Sequence, residues 1–150
     1  MREPFQILVI PFRHTADGVE FAVLKRSDDG YWQFIAGGGE DGESPIQSAE
    51  RETTEEIGAA AEMLIKLDSI SSVPINCFSC ADSWSKDLYV IPEYCFGINV
   101  GDSAIVISNE HTEMCWLHYE QVYNLLKWDS NRVALWELNE RLKKGILLFK

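Results

Sequence analysis

Residues 37–58 read GGGEDGESPIQSAERETTEEIG and join a glycine-rich turn to a strongly acidic helix. The helix is predicted to begin after Ser44, because Ser44, Pro45 and Gln47 suit an N-cap, an N1 proline and a capping-box partner. It is predicted to end near Gly58, since glycine readily adopts the left-handed conformation that terminates helices. A glycine-rich turn directly before a helix can also bring backbone carbonyls close to one side of it.

One side of this helix is apolar and the neighbouring side is acidic. At about 100° per residue, the apolar stripe consists of Ile46, Ala49, Thr53 and Ile57. Glu52, Glu55 and Glu56 form the acidic stripe at spacings of three and four residues, where like charges repel. The acidic stripe is expected to lack a cationic partner at helical spacing. A solvated surface is the simplest explanation of such acids, but hard oxygen donors at this density suit Mg²⁺ or Mn²⁺.

The spacing of seven residues is more specific than the acidity. They are Gly37, Glu43, Arg51, Glu52, Glu55, Glu56 and Gly58. They follow the pattern G-x5-E-x7-R-E-U-x-E-E-x-G-U, which would arise by chance on the order of 10⁻⁸ times per window. This pattern resembles the Nudix box, from which Thr53 and Ala59 depart mildly at the two bulky apolar positions, U.

The resemblance implies a Nudix fold, in which a mixed β-sheet is sandwiched between α-helices, of α/β or α+β class. It also implies hydrolysis of a nucleoside diphosphate linked to another group, with Mg²⁺ or Mn²⁺ as the cofactor. The implied metal ligands are Glu52, Glu55, Glu56 and the carbonyl of Ala36. The implied structural supports are the salt bridge between Glu43 and Arg51 and the glycines Gly37 and Gly58.

A general base is expected either within the box, at Glu55 or Glu56, or in a later loop. Glu110 is the candidate outside the box, because it lies in a polar stretch before the apolar residues 114–117. A surface acid is the alternative explanation for this residue.

The remaining chain predicts one domain over residues 1–150. Strands are predicted at 5–12, 21–24, 31–36, 64–73 and 88–100, and helices at 119–128 and 131–144. Residues 37–42 are predicted to form a loop. Strands and helices in this order indicate a mixed sheet flanked by helices.

A weaker resemblance to bacterial dihydroneopterin triphosphate pyrophosphatases extends beyond the box. The similar segments are residues 24–29, 31–33, 110–111, 116–117 and 128–132. The resemblance implies release of pyrophosphate from a pterin or deoxynucleoside triphosphate, and it matches the loop glutamate of that subfamily to Glu110. Residues 69–87 match poorly, and loops that select the substrate often lie there.

Other functions stay open at this point. Pro74 lies about where Nudix enzymes that cleave ADP-ribose carry a proline, although a strand end explains it as well. Asn76 stands about where diadenosine-polyphosphate hydrolases commonly carry a tyrosine, which disfavours that activity. A catalytically silent Nudix-like ligand sensor is the alternative of another class, and the intact acidic positions disfavour it.

Several side chains are candidates for substrate binding. An aromatic platform for a flat ring could come from Trp32, Phe34, Phe78 or Trp84. Trp84 is favoured because the flanking Ser83 and Ser85 suggest a mobile polar loop, whereas strand packing would explain Trp32 and Phe34. Arg26 could meet a phosphate or serve as a surface salt-bridge partner.

The net charge of −11 argues against binding to nucleic acid polymers or anionic membranes. It also implies that a cation lies between this acidic chain and a small di- or triphosphate substrate. The four cysteines, of which Cys77 and Cys80 form a C-x-x-C pair without a second pair, indicate reduced thiols. A cytoplasmic location is expected, because no signal peptide or membrane span is recognised. Homodimers are common among related enzymes, so a homodimer is one expected state.

Overall fold

The structure, a computed structural model, describes residues 1–59 and 63–145. The strands are β1 (Arg2–Thr15), β2 (Gly18–Arg26), β3 (Trp32–Gln33), β4 (Ile35–Glu40), β5 (Ile65–Pro74), β6 (Val90–Asn99) and β7 (His111–Leu117). The helices are α1 (Pro45–Ile57), α2 (Tyr119–Leu125) and α3 (Asp129–Lys144). Two short 3₁₀ turns, Ile75–Cys77 and Ala81–Ser83, lie between β5 and β6.

The strands form one mixed sheet in the order β3-β2-β1-β6-β5, with β4 paired to β1 and β7 paired to β2. Strand β1 is parallel to β6 and antiparallel to β2 and β4. It is apolar on both sides, and Ile7, Leu8, Val9 and Ile10 are at most 1% exposed. Burial on both faces is expected of a strand that lies in the middle of a layered sheet.

Helices cover both faces of this sheet. Alternate residues of β1 belong to two separate apolar clusters, because side chains of a strand alternate between its faces. Ile7 and Val9 pack with residues of α1, whereas Leu8, Ile10 and Phe12 pack with residues of α2 and α3. The predicted fold class, a mixed sheet sandwiched between helices, is confirmed.

The strand boundaries differ from the predicted ones in several places, and β1 and β2 each extend two or three residues beyond both predicted ends. The predicted strand at 31–36 is divided at Phe34, because β3 pairs with β2 whereas β4 pairs with β1. The predicted loop at 37–42 was wrong over its first four residues, since β4 continues to Glu40 beside β1. Strand β7 was not predicted, and its residues are only partly buried after His111.

The helix boundaries agree well for α1 and less well near the C-terminus. Helix α2 ends at Leu125, before the predicted 128, because Leu126 has an extended backbone with ψ of 139°. Helix α3 begins at Asp129, two residues before the predicted 131. None of the helices in the described ranges is long and apolar enough to cross a membrane.

Candidate active site

Helix α1 begins and ends where its sequence indicates. The Ser44 side chain accepts a hydrogen bond from the Gln47 amide, and the Gln47 side chain accepts one from the Ser44 amide. Gly58 ends the helix with a φ of 68°. Ala49, Thr53 and Ile57 are fully buried towards the sheet, and Ile46 is partly buried there. This packing fixes the direction of the acidic side.

Arg51 connects the acidic side of α1 to the chain before it. Its guanidinium donates to both oxygens of Glu43, at 2.8 and 3.0 Å, and to the Gly38 carbonyl at 2.8 Å. It also donates to Glu52 at 2.9 Å and to Glu55 at 3.2 Å. A fork of this kind is specific to arginine, since its donors lie in one plane.

The expectation of an acidic stripe without a cationic partner was therefore wrong. Arg51 lies four residues before Glu55, a spacing at which helical side chains meet. The extended fork also reaches Glu52, its immediate neighbour in sequence. Arg51 thus offsets part of the repulsion between the glutamates.

Glu52 occupies space that only a glycine leaves open. A Cβ on Gly37 would lie 2.3 Å from the Glu52 carboxyl carbon and 2.6 Å from each of its oxygens. No side chain fits at such distances, so the glycine allows the carboxylate to lie against the backbone of β4. The main-chain groups of β4 and the acids of α1 thereby come close together.

Glu56 is the most deeply buried acid of α1, with 2% of the residue exposed. Its Oε2 atom is buried and has no hydrogen-bond partner in the described part of the chain. Its Oε1 atom lies 3.6 Å from Nε2 of His111, whose side chain is fully buried. Both ring nitrogens of His111 likewise lack partners among the residues described.

The environment of Glu56 favours its neutral form. Burial raises the pKa of Glu56 to about 9, and the nearby charges of Glu52 and Glu110 add to this effect. Burial also raises the pKa of Glu52, against the opposing effect of Arg51. His111 supplies no compensating charge, because burial lowers its pKa. Without a further cation, a proton is the means by which the protein relieves this crowding.

The donor chemistry of this region fits a hard divalent cation. It supplies carboxylate oxygens, the buried and unpartnered Oε2 of Glu56 among them, beside the backbone of Ala36 and Gly37. Across residues 1–59 and 63–145, however, no three acidic, histidine or cysteine side chains already surround a common point. The Arg51 guanidinium donates to one oxygen of Glu52 and to one oxygen of Glu55.

A cleft of about 590 Å³ opens beside these acids. Its wall includes Ala36, Gly37 and Glu52, and also Glu110. Glu110 is held close by its backbone, because its carbonyl accepts hydrogen bonds from the amide and the hydroxyl of Ser27, at 2.9 and 3.0 Å. Acids from α1 and from the loop before β7 therefore face one cavity.

The loop before β7 is also bonded to the end of α1. The Val106 amide donates to the Ile57 carbonyl at 3.0 Å, and the Ser108 amide donates to the Glu56 carbonyl at 3.1 Å. These bonds satisfy carbonyls that the last turn of a helix otherwise leaves free. They fix the path of the loop relative to α1.

The substrate-binding candidates are distributed differently from the expectation. Arg26 lines the cleft, and Asp28 holds its guanidinium through bonds of 2.8 and 2.6 Å. Trp84 is 8% exposed and donates its indole N–H to the Arg2 carbonyl at 2.8 Å. Neither Trp84 nor Trp32 lines this cleft, since Trp84 is buried and Trp32 packs against the apolar cluster that includes α2 and α3. Their roles in substrate binding stay predictions.

Sequence reasoning missed several residues of the cleft. Glu93 on β6 and Asn131 on α3 line it although they are only 7% and 3% exposed, and Trp128 lies at its rim. A glutamate within the apolar run of β6 was a usable signal, because buried acids usually have a functional reason. The position of His111 beside Glu56 was not predicted, although residues 110–111 belong to one of the segments similar to the pyrophosphatases.

Comparisons with known proteins identify the family of this chain. The NUDIX domain model matches residues 7–136, and the chain belongs to this family. As a Nudix hydrolase it acts on pyrophosphate bonds.

Three relatives illustrate the range of similarity. A solved structure, described as that of a NUDIX hydrolase from Listeria monocytogenes, has 45% sequence identity to this chain. Its TM-score is 0.88, over 97% of this chain and 98% of that chain. The dihydroneopterin triphosphate diphosphatase of Escherichia coli K12 is 28% identical over 137 residues, covering 89% of this chain and 91% of that protein. The solved E. coli dihydroneopterin triphosphate pyrophosphohydrolase is 27% identical, with a TM-score of 0.74 over 92% of this chain and 97% of that chain.

We predict that Arg51→Ala lowers the free energy of unfolding by about 1–3 kcal/mol, because Glu43 loses its cationic partner. The Arg51 guanidinium lowers the pKa of Glu43 from 4.5 to about 2. This stabilisation is therefore present above pH 4.5 and is lost as the pH falls towards 2. Urea unfolding should show a difference between parent and variant at neutral pH that shrinks over this window.

Lys143→Ala is the matched control, since it removes an exposed cation that pairs with Glu140 at 3.3 Å. It should change the free energy of unfolding by less than about 0.5 kcal/mol. Equal effects of the two substitutions would show that the Arg51 fork has no special role in stability.

We predict that, without metal, the free energy of unfolding of Glu56→Gln depends less on pH than that of the parent. The difference should appear in the pH range where Glu56 retains its proton in the folded parent. The folded parent holds this proton up to about pH 9, whereas the unfolded chain releases it near 4.5. The free energy of unfolding of the parent should therefore fall as the pH rises through this window, and the variant should lack that part of the slope. Denaturant unfolding in EDTA across the window measures the difference.

Turnover of the same variant should fall at least about 10²-fold with metal present, as when a charge near the reaction is deleted. Glu120→Gln, an exposed acid in the first turn of α2, should leave both the slope and turnover unchanged. The role of Glu56 would be contradicted if the free energy of unfolding had the same pH dependence in Glu56→Gln and the parent and if the variant also had normal turnover.

Proposed function

We propose that this protein releases pyrophosphate from the triphosphate of a pterin or a related nucleoside, leaving a monophosphate. One observation carries the proposal: Glu52 of α1 and Glu110 of the loop before β7 line the same cleft. The similarity to dihydroneopterin triphosphate diphosphatases supports the substrate, since it extends over 89% of this chain.

The proposed cofactor is Mg²⁺ or Mn²⁺, held by Glu52, Glu55, Glu56 and the carbonyl of Ala36. When bound, such an ion neutralises phosphate charge and lowers the pKa of water. The buried, unpartnered Oε2 of Glu56 supports this assignment, because a cation there would relieve the cost of burying the carboxylate.

The side chains of the protein have separate parts in the proposed reaction. Arg51 orients Glu52 and Glu55 through its fork, while Glu43 holds the fork in place. Arg26 contacts a phosphate, with its guanidinium kept in position by Asp28. Glu110 accepts the proton of the attacking water, as a general base at the open side of the cleft.

A second candidate substrate is ADP-ribose. Pro74, which stands about where Nudix enzymes of that specificity carry a proline, lines the cleft at the end of β5. The two substrates differ in the product released, because a triphosphate gives pyrophosphate and ADP-ribose gives two monophosphates.

We predict that dihydroneopterin triphosphate is hydrolysed faster than ADP-ribose or diadenosine polyphosphates, with a deoxynucleoside triphosphate next in order. Activity should vanish in EDTA and return with Mg²⁺ or Mn²⁺, because the acids of α1 need a cation to approach an anionic substrate. Chromatography of each reaction measures both effects, because it quantifies the substrate consumed and the pyrophosphate, monophosphates or nucleotides formed. Undiminished turnover in chelator would refute the metal assignment, and preference for ADP-ribose would favour the second candidate.

We predict that Glu110→Gln lowers kcat by about 10²–10⁴-fold and changes KM much less, because a general base acts chiefly in the transition state. Steady-state kinetics on the best substrate of the panel provides both constants. Glu113→Gln is the matched control, since Glu113 is an exposed acid three residues further on that pairs only with Lys25 among the residues described. If Glu110→Gln retains the parental kcat, Glu110 is a solvated surface acid.

A further inference from the structure

Another acid of the cleft, Glu93 on β6, lies outside the proposed metal site. It is 7% exposed, and its Oε1 atom accepts a hydrogen bond from the Ser71 hydroxyl at 3.2 Å. Burial raises the pKa of Glu93, and hydrogen bonds from Ser71 and Ser130 oppose that rise. No lysine or arginine pairs with Glu93 in the described ranges.

A buried carboxyl group that has hydroxyl neighbours but no cation is costly for the fold. The two hydroxyls come from β5 and from the start of α3, so three separate elements meet at this acid. Packing alone would be served better by an apolar residue at this position of β6. The cost indicates that the group serves a ligand.

The sheet register fixes the position of Glu93 relative to the acids of α1. Gln6 of β1 pairs with Gly38 of β4 on one side and with Glu93 of β6 on the other. Adjacent strands are about 4.8 Å apart, so Glu93 lies about 10 Å from the β4 backbone that adjoins Glu52. This separation suits a ligand whose phosphates lie at α1 and whose ring lies at β6.

Asn131 in the first turn of α3 and Trp128, the residue just before that helix, complete this end of the cleft. Asn131 is 3% exposed and lines the cleft, and its side chain makes no hydrogen bond to other residues in the described ranges. Trp128 is 48% exposed at the rim, with Tyr31 against its edge at 6.2 Å between ring centroids. An aromatic face and an unused amide are the groups by which proteins bind flat polar rings.

We infer that Glu93, together with Asn131, recognises a heterocycle in which a ring N–H stands beside an exocyclic amino group, as in guanine and pterin. The two oxygens of the carboxylate accept the two parallel N–H groups, and the Asn131 amide donates to the ring carbonyl. Adenine is disfavoured, because its ring nitrogen beside the amino group is an acceptor and would face a carboxylate oxygen. This inference rests on the proposed function, and it names the groups that select the substrate.

The test compares GTP with ITP, which differ only in the exocyclic amino group. With Mg²⁺, the parent protein should have a kcat/KM for GTP about 10- to 100-fold above that for ITP, the range expected for one hydrogen bond to a charged group. Glu93→Gln should abolish this preference, since its amide offers one acceptor in place of two. It should lower kcat/KM for GTP more than for ITP, because ITP has only the ring N–H to lose as a partner, whereas a general loss of structure would lower both to the same extent.

Glu120→Gln is the matched control and should keep the parental ratio, and thermal unfolding checks that each variant is folded. If Glu93→Gln does not fold, the ratio of kcat/KM for GTP to that for ITP in the parent still tests whether the protein recognises the exocyclic amino group. Equal kcat/KM for GTP and ITP, or a preference for ATP, would overturn the inference and leave the proposed function standing.

If the parent hydrolyses no triphosphate, the proposed function fails and calorimetric binding of GMP and IMP tests the inference by itself. Tighter binding of GMP by the parent but not by Glu93→Gln would support it. Equal affinities of the parent for GMP and IMP would overturn it.

Discussion

The guanidinium of Arg51 is the contact on which the arrangement of the site depends. It ties the Gly38 carbonyl and Glu43, which precede α1, to Glu52 and Glu55 on the helix. Removing any one acid would leave the other contacts in place, but removing the arginine would release all of them at once. A helix that carries neighbouring glutamates can form here because one planar cation reaches several of them.

The site also contains charge that Arg51 does not reach. Glu56 is buried against the neutral His111, and both side chains have polar atoms without partners in the part of the chain described. Such an arrangement is costly in a folded protein, and proteins usually accept that cost where a ligand later removes it. Glu93 is likewise a buried acid, and we propose a cation as the partner of the α1 acids and a hydrogen-bonding ring as the partner of Glu93.

The sequence was most informative where local rules and long-range packing coincide. Ser44, Gln47 and Gly58 determine the ends of α1 through bonds to nearby residues, so the helix was predicted to the residue. The side of α1 that faces the sheet followed from the spacing of its apolar residues. Strand β7 and the grouping of Glu93 with Asn131 depend on which strands pair, and no local pattern reports that. The burial of Trp84 could not be predicted from its serine neighbours, because its indole donates to the carbonyl of Arg2, which is far away in sequence.

The bonds from Val106 and Ser108 to the end of α1 have a consequence for how such a protein can diversify. They bond α1 to the loop that carries Glu110, so that the helix and the loop keep a fixed position relative to each other beside the middle of the sheet. Strand β5, by contrast, lies at one edge of the sheet and, among the described strands, pairs with β6 alone. Mutations there reshape one wall of the cleft without disturbing that helix and loop. The preference for one substrate over another can therefore change during evolution while α1 and the loop that carries Glu110 stay the same.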